Sequence, residues 1–305
     1  KNDIISLNIS KEEMIQEVLS ITNKKNLENR YNEFINQKNT NEERPSIELS
    51  FHIFGDKYTL HLHPTLINIF TCTEEGQEII KKICKKNDNI SYVDYYKPGI
   101  ILTDKIMEER STLNDITFLF NHGIIITGPS EDSIKDRYRF VEEMLKKEIV
   151  YEEYKQDNEL LSKSLNPEYF LIINNFLEQK GFEIFKSELD DINRENAVNV
   201  HELPHLYPDS AIYNARVAFP TRDLHTSPIS KIILGDLIVY GEIHHDEYQW
   251  GINVSSEKEA IFKTELFINK MKIEYFAKLN GFTPSYLDKQ SVDELVNWDA
   301  EKYRQ

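Results

Sequence analysis

The sequence predicts an α/β fold for about the first half of the chain, with helices layered on a central sheet, followed by an α+β part. Segments of helical and strand periodicity alternate over residues 1–155. Two nearly continuous apolar stretches, 116–120 and 124–127, have the character of strands buried inside a sheet. After these segments the pattern changes, and several strand candidates follow one another. We therefore predict domains at 1–155 and 156–305, with no internal repeat.

Local signals define the elements of the first domain. Ser10 and Glu13 form a capping box ahead of apolar residues at helical spacing, which predicts a helix over about 11–22. A second helix is expected to begin near Pro45 and to end at Gly55. The remaining predictions are a short helix within 23–44, strands at 58–63 and 90–95, helices at 65–71, 75–86 and 102–109, and a long helix from Ser130 to about 155.

The second domain carries weaker signals. The predicted elements are a helix from Asn166 to about 180, a proline-containing loop at 198–209, strands at 211–219, 231–242 and 248–254, a helix from Ser256 to about 279, and short helices in 284–305. Within the loop, His201, Glu202 and His205 are candidates for lining a pocket. His244 and His245 begin a polar group that is a candidate metal patch. A structural role is the simpler interpretation of both groups.

Composition argues against several classes of function. The chain has 305 residues and 40% hydrophobic content, enough for a sizeable core. Its formal charge of −16 argues against a nucleic-acid partner and against an anionic membrane surface, because binders of either present a basic face. No apolar run is long enough for a transmembrane helix, and neither GxGxxG nor a P-loop motif occurs. Cys72 and Cys84 are expected to be plain thiols, so we expect a cytoplasmic protein.

Three histidines are the most informative residues. His61 and His63 alternate on the strand predicted at 58–63, so both side chains project to one side, about 6–7 Å apart. His122 lies in a predicted turn between the two apolar strands. Each feature alone is more often structural than functional. Together, three neutral imidazoles with an open position are the ligand set of a catalytic divalent metal, with zinc as the default.

Glu48 is a candidate partner of this metal. It lies four residues before His52 on a predicted helix, so the two side chains share a face. One interpretation is an amphipathic surface pair. The other places Glu48 as a general base that faces the metal from the first turn of the helix, and the spacing leaves both open.

These motifs resemble the class II aldolase/adducin family. The similar segments are Ser46-x-Glu48-x3-His52, His61-x-His63, and Asn121-His122-Gly123 followed by IIITG. The stretches VDYYKPGIILTDKI and HLYPDSAIY look like the longer rhamnulose-phosphate-aldolase-type members. The resemblance implies a three-layer α/β/α fold with a central, largely antiparallel sheet and a C-terminal α+β extension that completes or covers the active site.

The resemblance also implies roles and a reaction. His61, His63 and His122 would bind a divalent metal such as Zn²⁺, Glu48 would be the acid/base, and Ser46 would bind phosphate or substrate oxygens. The implied activity is that of a metal-dependent aldolase that acts on a ketose or ketose phosphate through a metal-stabilised enediolate. The resemblance also implies a homo-oligomer, with a tetramer as the expected form. The alternatives are a sugar-phosphate 4-epimerase or dehydratase that uses the same site, and a non-catalytic adducin-like scaffold.

One departure from the family bears on the substrate. Family members normally carry a Gly-Asn-containing segment between the first helix and the helix that bears the glutamate, and that segment helps to bind phosphate. Between Ile21 and Pro45 this sequence has no glycine. The sequence therefore leaves open whether the substrate must be phosphorylated.

Overall fold

The structure is a computed structural model. It describes residues 9–21, 26–40, 45–109, 113–151, 155, 205–214, 232–234, 237–243, 248–253, 266, 269–270 and 272–298. The helix predicted from Asn166, together with His201, Glu202, His244 and His245, lies outside these residues. Among the described helices, none has the length and apolar character needed to cross a membrane.

The first part of the chain alternates helices and strands. Its elements are α1 Lys11–Ser20, α2 Leu27–Lys38, α3 Leu49–Phe54, β1 Tyr58–Leu62, α4 Thr65–Thr71, α5 Glu74–Cys84, β2 Ile90–Val93, α6 Ile100–Glu109, β3 Ile116–Leu119, β4 Gly123–Gly128 and α7 Glu131–Leu145. The capping boxes predicted at Ser10 and Ser130 are both present. The order of elements is therefore the predicted one.

The described residues of the second part contribute helices and a small sheet. The elements are α8 Pro208–Asn214, β5 Ile232–Leu234, β6 Leu237–Ile243, β7 Tyr248–Asn253, a helical segment at 272–279 and α9 Lys289–Val296. The strands β5, β6 and β7 form an antiparallel sheet in that order. The single strand predicted at 231–242 is thus two paired strands.

The main sheet is mixed, and two of its three strand pairs are antiparallel, which agrees with the largely antiparallel sheet that was expected. Its strand order is β1-β4-β3-β2, in which β4 pairs antiparallel with both β1 and β3, and β2 pairs parallel with β3. A parallel pair needs a crossover connection, and α6 lies in the chain between β2 and β3.

Apolar clusters cover both faces of this sheet. Successive residues of a strand point to opposite faces, and Phe118 and Leu119 of β3 accordingly belong to different clusters. The first cluster joins the sheet to α4, α5, α7 and the segment at 272–279. The second joins it to α1, α2, α3 and α6. The segment at 272–279 is therefore part of the same core as the sheet.

Three predictions were wrong, one in the type of element and two in the position of a helix end. The strand predicted at 211–219 begins instead as α8, which starts at Pro208. Proline suits the first helical position because the amide hydrogen that it lacks would have no partner there, and Asp209 in the first turn favours the positive end of the helix dipole. The helix expected from Pro45 begins only at Leu49, after a turn. The long helix expected to reach about 155 ends at Leu145.

Candidate metal centre

The pairing of β1 with β4 brings the three histidines together. Leu62, the last residue of β1, lies opposite Ile124 of β4. His63 follows β1 and His122 precedes β4, so both lie at the same end of the strand pair. His61 faces the same side as His63 because side chains alternate along a strand. The centroids of the three rings lie 4.7–4.9 Å apart.

A tight turn presents His122. Asn121 has φ 52°, in the left-handed region that asparagine tolerates better than most residues. The backbone N–H of His122 donates to the carbonyl of Leu119 at 3.1 Å, which closes the turn. A Cβ atom at Gly123 would lie 2.4 Å from the carbonyl oxygen of Leu62, so only glycine fits there without displacement. The turn thus holds the buried imidazole against the end of β1.

Glu48 completes the cluster from the start of α3. It is the residue immediately before the helix, and its Oε1 lies 2.9 Å from Nε2 of His122 and 3.2 Å from Nε2 of His61. One possible ligand atom from each of Glu48, His61, His63 and His122 lies within 4.8 Å of the others. The structure therefore has a histidine–glutamate cluster positioned for a metal ion.

Hydrogen bonds fix the form of two of the imidazoles. Nδ1 of His61 lies 2.9 Å from the carbonyl oxygen of Ile124, and Nδ1 of His63 lies 2.8 Å from Oδ2 of Asp209. Both partners are acceptors, so each Nδ1 carries the hydrogen and each neutral ring has a lone pair on Nε2. The two Nε2 atoms are only 2.9 Å apart. When both rings are neutral, the two lone pairs face each other and repel, and a cation between them would turn this repulsion into attraction, so the donor set fits a metal.

The charges around Glu48 favour its ionised form. Burial raises the pKa of its carboxyl, but the adjacent imidazoles of His122 and His61 outweigh burial and hold this pKa well below the ordinary value. Burial also lowers the pKa of His122 to about 4, so this ring is neutral near pH 7, the form that binds a metal. The cluster therefore places the neutral ring of His122 beside an ionised carboxylate.

The pair of His63 and Asp209 behaves differently. Burial lowers the pKa of His63, but the neighbouring Asp209 carboxylate outweighs it and the net direction is upward. Burial raises the pKa of Asp209, and the hydrogen bond from His63 brings it below its ordinary value. Each partner thus stabilises the charged form of the other.

The other candidate residues lie around the cluster or away from it. Ser46 is exposed, and its Oγ accepts the backbone N–H of Glu48 at 3.2 Å, which helps to form the turn before α3. His52 is exposed on α3 and is not one of the four cluster residues, although the charges of His61 and Glu48 act on it. His205 is buried, and its Nδ1 lies 3.2 Å from Oγ of Ser210.

Asp209 was not singled out by the sequence analysis, although it lies in the proline-containing loop that was. Its only local signal is a carboxylate directly after Pro208, close to His205. Asp209 and His63 are 146 residues apart. Nothing in the sequence near either residue indicates their contact.

Comparison with known proteins places most of these residues in one family. Residues 4–149 match the family described as "Class II Aldolase and Adducin N-terminal domain". Among curated proteins, the 3-oxo-tetronate 4-phosphate decarboxylase of Pectobacterium atrosepticum is 28% identical over 116 residues, which are 34% of this chain and 53% of that protein. The match thus spans about half the length of this relative. No solved structure matches the chain.

Proposed function

Because residues 4–149 belong to the class II aldolase and adducin family, we propose that the protein is a divalent-metal-dependent aldolase, an aldehyde-lyase. Its substrate would be a ketose or ketose phosphate. The bond cleaved would be the one between the carbon next to the carbonyl and the hydroxyl-bearing carbon beyond it. The observation that carries this proposal is the convergence of Glu48 with three histidines, two of which turn their Nε2 atoms toward each other at 2.9 Å. A scaffold protein has no use for that arrangement.

His61, His63 and His122 would hold the ion, and zinc is the default for a site of nitrogen ligands. A bound divalent ion would act as a Lewis acid that polarises the substrate carbonyl and stabilises the negative charge that develops on its oxygen. The protein itself would contribute by orienting the imidazole rings of His61 and His63. The carbonyl of Ile124 and the carboxylate of Asp209 keep two rings turned with Nε2 toward the centre.

Glu48 would move the proton. Its carboxyl is ionised, so it has a free lone pair that can accept the hydroxyl proton of the fragment that leaves as an aldehyde. The electron pair of the broken carbon–carbon bond then remains on the carbon next to the carbonyl, and a proton returned to that carbon completes the cleavage. General acid–base catalysis of this kind accelerates a reaction about 10²–10⁴-fold.

Ser46 would bind phosphate or substrate oxygens. It is exposed and lies two residues before Glu48, so a group bound there would be near the cluster. Helix α2 lies in the stretch between Ile21 and Pro45 that has no glycine, and its apolar residues pack into one of the two core clusters. We therefore expect phosphate to contribute less to binding than in relatives that keep the glycine segment.

Decarboxylation is the second candidate, because the curated relative is a 3-oxo-tetronate 4-phosphate decarboxylase. Loss of CO₂ from a 3-oxo acid leaves an electron pair on the carbon next to the carbonyl, as aldol cleavage does. The same cluster would serve both reactions, but decarboxylation removes no hydroxyl proton. A 4-epimerase or dehydratase that uses the same groups remains a third candidate.

Metal analysis and a substrate panel test these proposals. We expect about one divalent ion per chain, and a chelator should lower the melting temperature. Ketoses, ketose phosphates and 3-oxo acid phosphates should then be assayed in parallel for aldehyde, CO₂ and isomer. Aldehyde release supports the aldolase, CO₂ supports the decarboxylase, and protein without a metal that is indifferent to chelator refutes the enzymatic proposal.

Glu48→Gln tests the proposed base. The amide keeps the size of the side chain and loses its charge, so metal content should stay near one ion per chain while turnover falls about 10²–10⁴-fold. His52→Gln is the matched control, because His52 is exposed on the same helix outside the cluster. Unchanged turnover in Glu48→Gln would remove Glu48 from the mechanism.

The proposal extends to architecture and assembly. The apolar clusters on both faces of the sheet support a three-layer α/β/α domain, with the second part of the chain completing the site. The family resemblance implies a cytoplasmic homo-oligomer, with a tetramer as the expected form. Light scattering on the purified protein measures the oligomer directly.

A further inference from the structure

The second part of the chain contacts one of the three histidines directly and the sequence neighbour of another. Asp209, in the first turn of α8, contacts Nδ1 of His63 at 2.8 Å. The side-chain amide of Asn121, next to His122, donates to the backbone carbonyls of Leu206 and Ser285. Residues of the first part of the chain thus form the cluster, and residues of the second part contact it from outside.

We propose that Asp209 is a positioning residue of the metal centre, which acts through His63, and that α8 belongs to the working site. This inference rests on the metal-binding part of the proposed function. Asp209 lies on the side of the His63 ring away from the cluster, so it is not itself one of the converging groups. Its role would be to orient the ring and to increase the electron density on Nε2.

The geometry suits that role. The contact is short and charge-assisted, and the side chains of His63 and Asp209 are only 21% and 26% exposed, so water competes weakly for it. A carboxylate that accepts from the far nitrogen of a metal-binding histidine fixes its tautomer and its direction. Loss of such a partner typically costs about 10–100-fold in metal affinity.

The alternative is a purely structural role. An aspartate in the first turn of a helix stabilises that helix whatever else it contacts. Asp288 provides the matched control, since its Oδ1 accepts the backbone N–H of Ser291 at 2.7 Å at the start of α9, also in the second part of the chain. Asp288→Ala should lower stability and leave the metal centre intact.

The experiment compares Asp209→Ala, Asp209→Asn and Asp288→Ala with the wild-type full chain. Zn²⁺ affinity is measured by competition with a chromophoric chelator, and the visible absorption of the Co²⁺-loaded protein reports ligand geometry. We expect about 10–100-fold weaker binding and an altered Co²⁺ spectrum for Asp209→Ala. Asp209→Asn, whose amide oxygen still accepts from Nδ1 of His63, should show a smaller loss, and Asp288→Ala should bind as the wild type does.

The outcomes separate this inference from the proposed function. Wild-type affinity and an unchanged Co²⁺ spectrum in Asp209→Ala overturn the inference while the metal site stands. Equal losses of affinity in Asp209→Ala and Asp288→Ala assign Asp209 a structural role and also overturn it. If Asp209→Ala does not fold, the near-isosteric Asp209→Asn decides, and wild-type affinity there counts against the inference. A wild-type chain that binds neither ion refutes the proposed function as well.

Discussion

Replacing Gly123 by alanine tests whether the spacing between β1 and β4 sets the metal centre. A Cβ atom at this position would lie 2.4 Å from the carbonyl oxygen of Leu62 and 2.6 Å from Cδ2 of His63. The φ of Gly123 is outside the left-handed region, so the glycine is required for space. To restore an ordinary separation of 3.4 Å, the ring of His63 must move by about 0.8 Å.

A displacement of that size affects stability and binding in different ways. Forcing an extra methyl group into a packed region costs about 1–3 kcal/mol, which corresponds to roughly 2–12 °C in melting temperature. Metal sites require their ligands to lie within about 0.5 Å of the productive geometry. We therefore expect Gly123→Ala to bind Zn²⁺ about tenfold more weakly or worse, measured by competition with a chelator.

Gly281→Ala is the control for the loss of stability. A Cβ atom there meets nothing within 4 Å, but the residue has φ +69°, so alanine should cost about 1–2 kcal/mol in backbone strain. This variant should melt at a lower temperature and bind Zn²⁺ with wild-type affinity. If Gly123→Ala binds Zn²⁺ as tightly as Gly281→Ala does, the spacing argument is refuted.

Two further predictions concern pH and the core. Burial lowers the pKa of His122 to about 4 from 6.5, so the unfolded chain binds more protons between these values and the metal-free protein should lose stability as pH falls. The raised pKa of His63 acts in the opposite sense, mainly above pH 6.5, so melting temperatures should be compared between about pH 5 and 6.5. In this range His122→Gln should make the melting temperature less dependent on pH than in the wild type. An equal slope of melting temperature against pH in both proteins contradicts the prediction. Phe118 is fully buried in the cluster with α4, and Phe118→Ala should cost about 3–5 kcal/mol by urea unfolding while leaving Zn²⁺ affinity unchanged. A loss below about 1 kcal/mol would mean that this face of the sheet is not packed as described.

Local structure was largely readable from the sequence. The capping boxes at Ser10 and Ser130 mark helix starts because a side chain and a backbone group three residues away satisfy each other, which needs no other part of the chain. The alternation of His61 and His63 put both imidazoles on one side of a strand for the same local reason. The strand prediction was wrong at 211–214, where Pro208 and Asp209 begin a helix instead, which is also a local signal.

The sequence by itself determined which residue types are available to the site and the elements that carry most of them. Only the tertiary structure decided that β1 lies beside β4, that Glu48 turns toward the histidines, and that Asp209 contacts His63. The physical reason is range. Caps and periodicity act within a few residues, whereas the partner of His63 lies 146 residues away and is chosen by the packing of the whole chain.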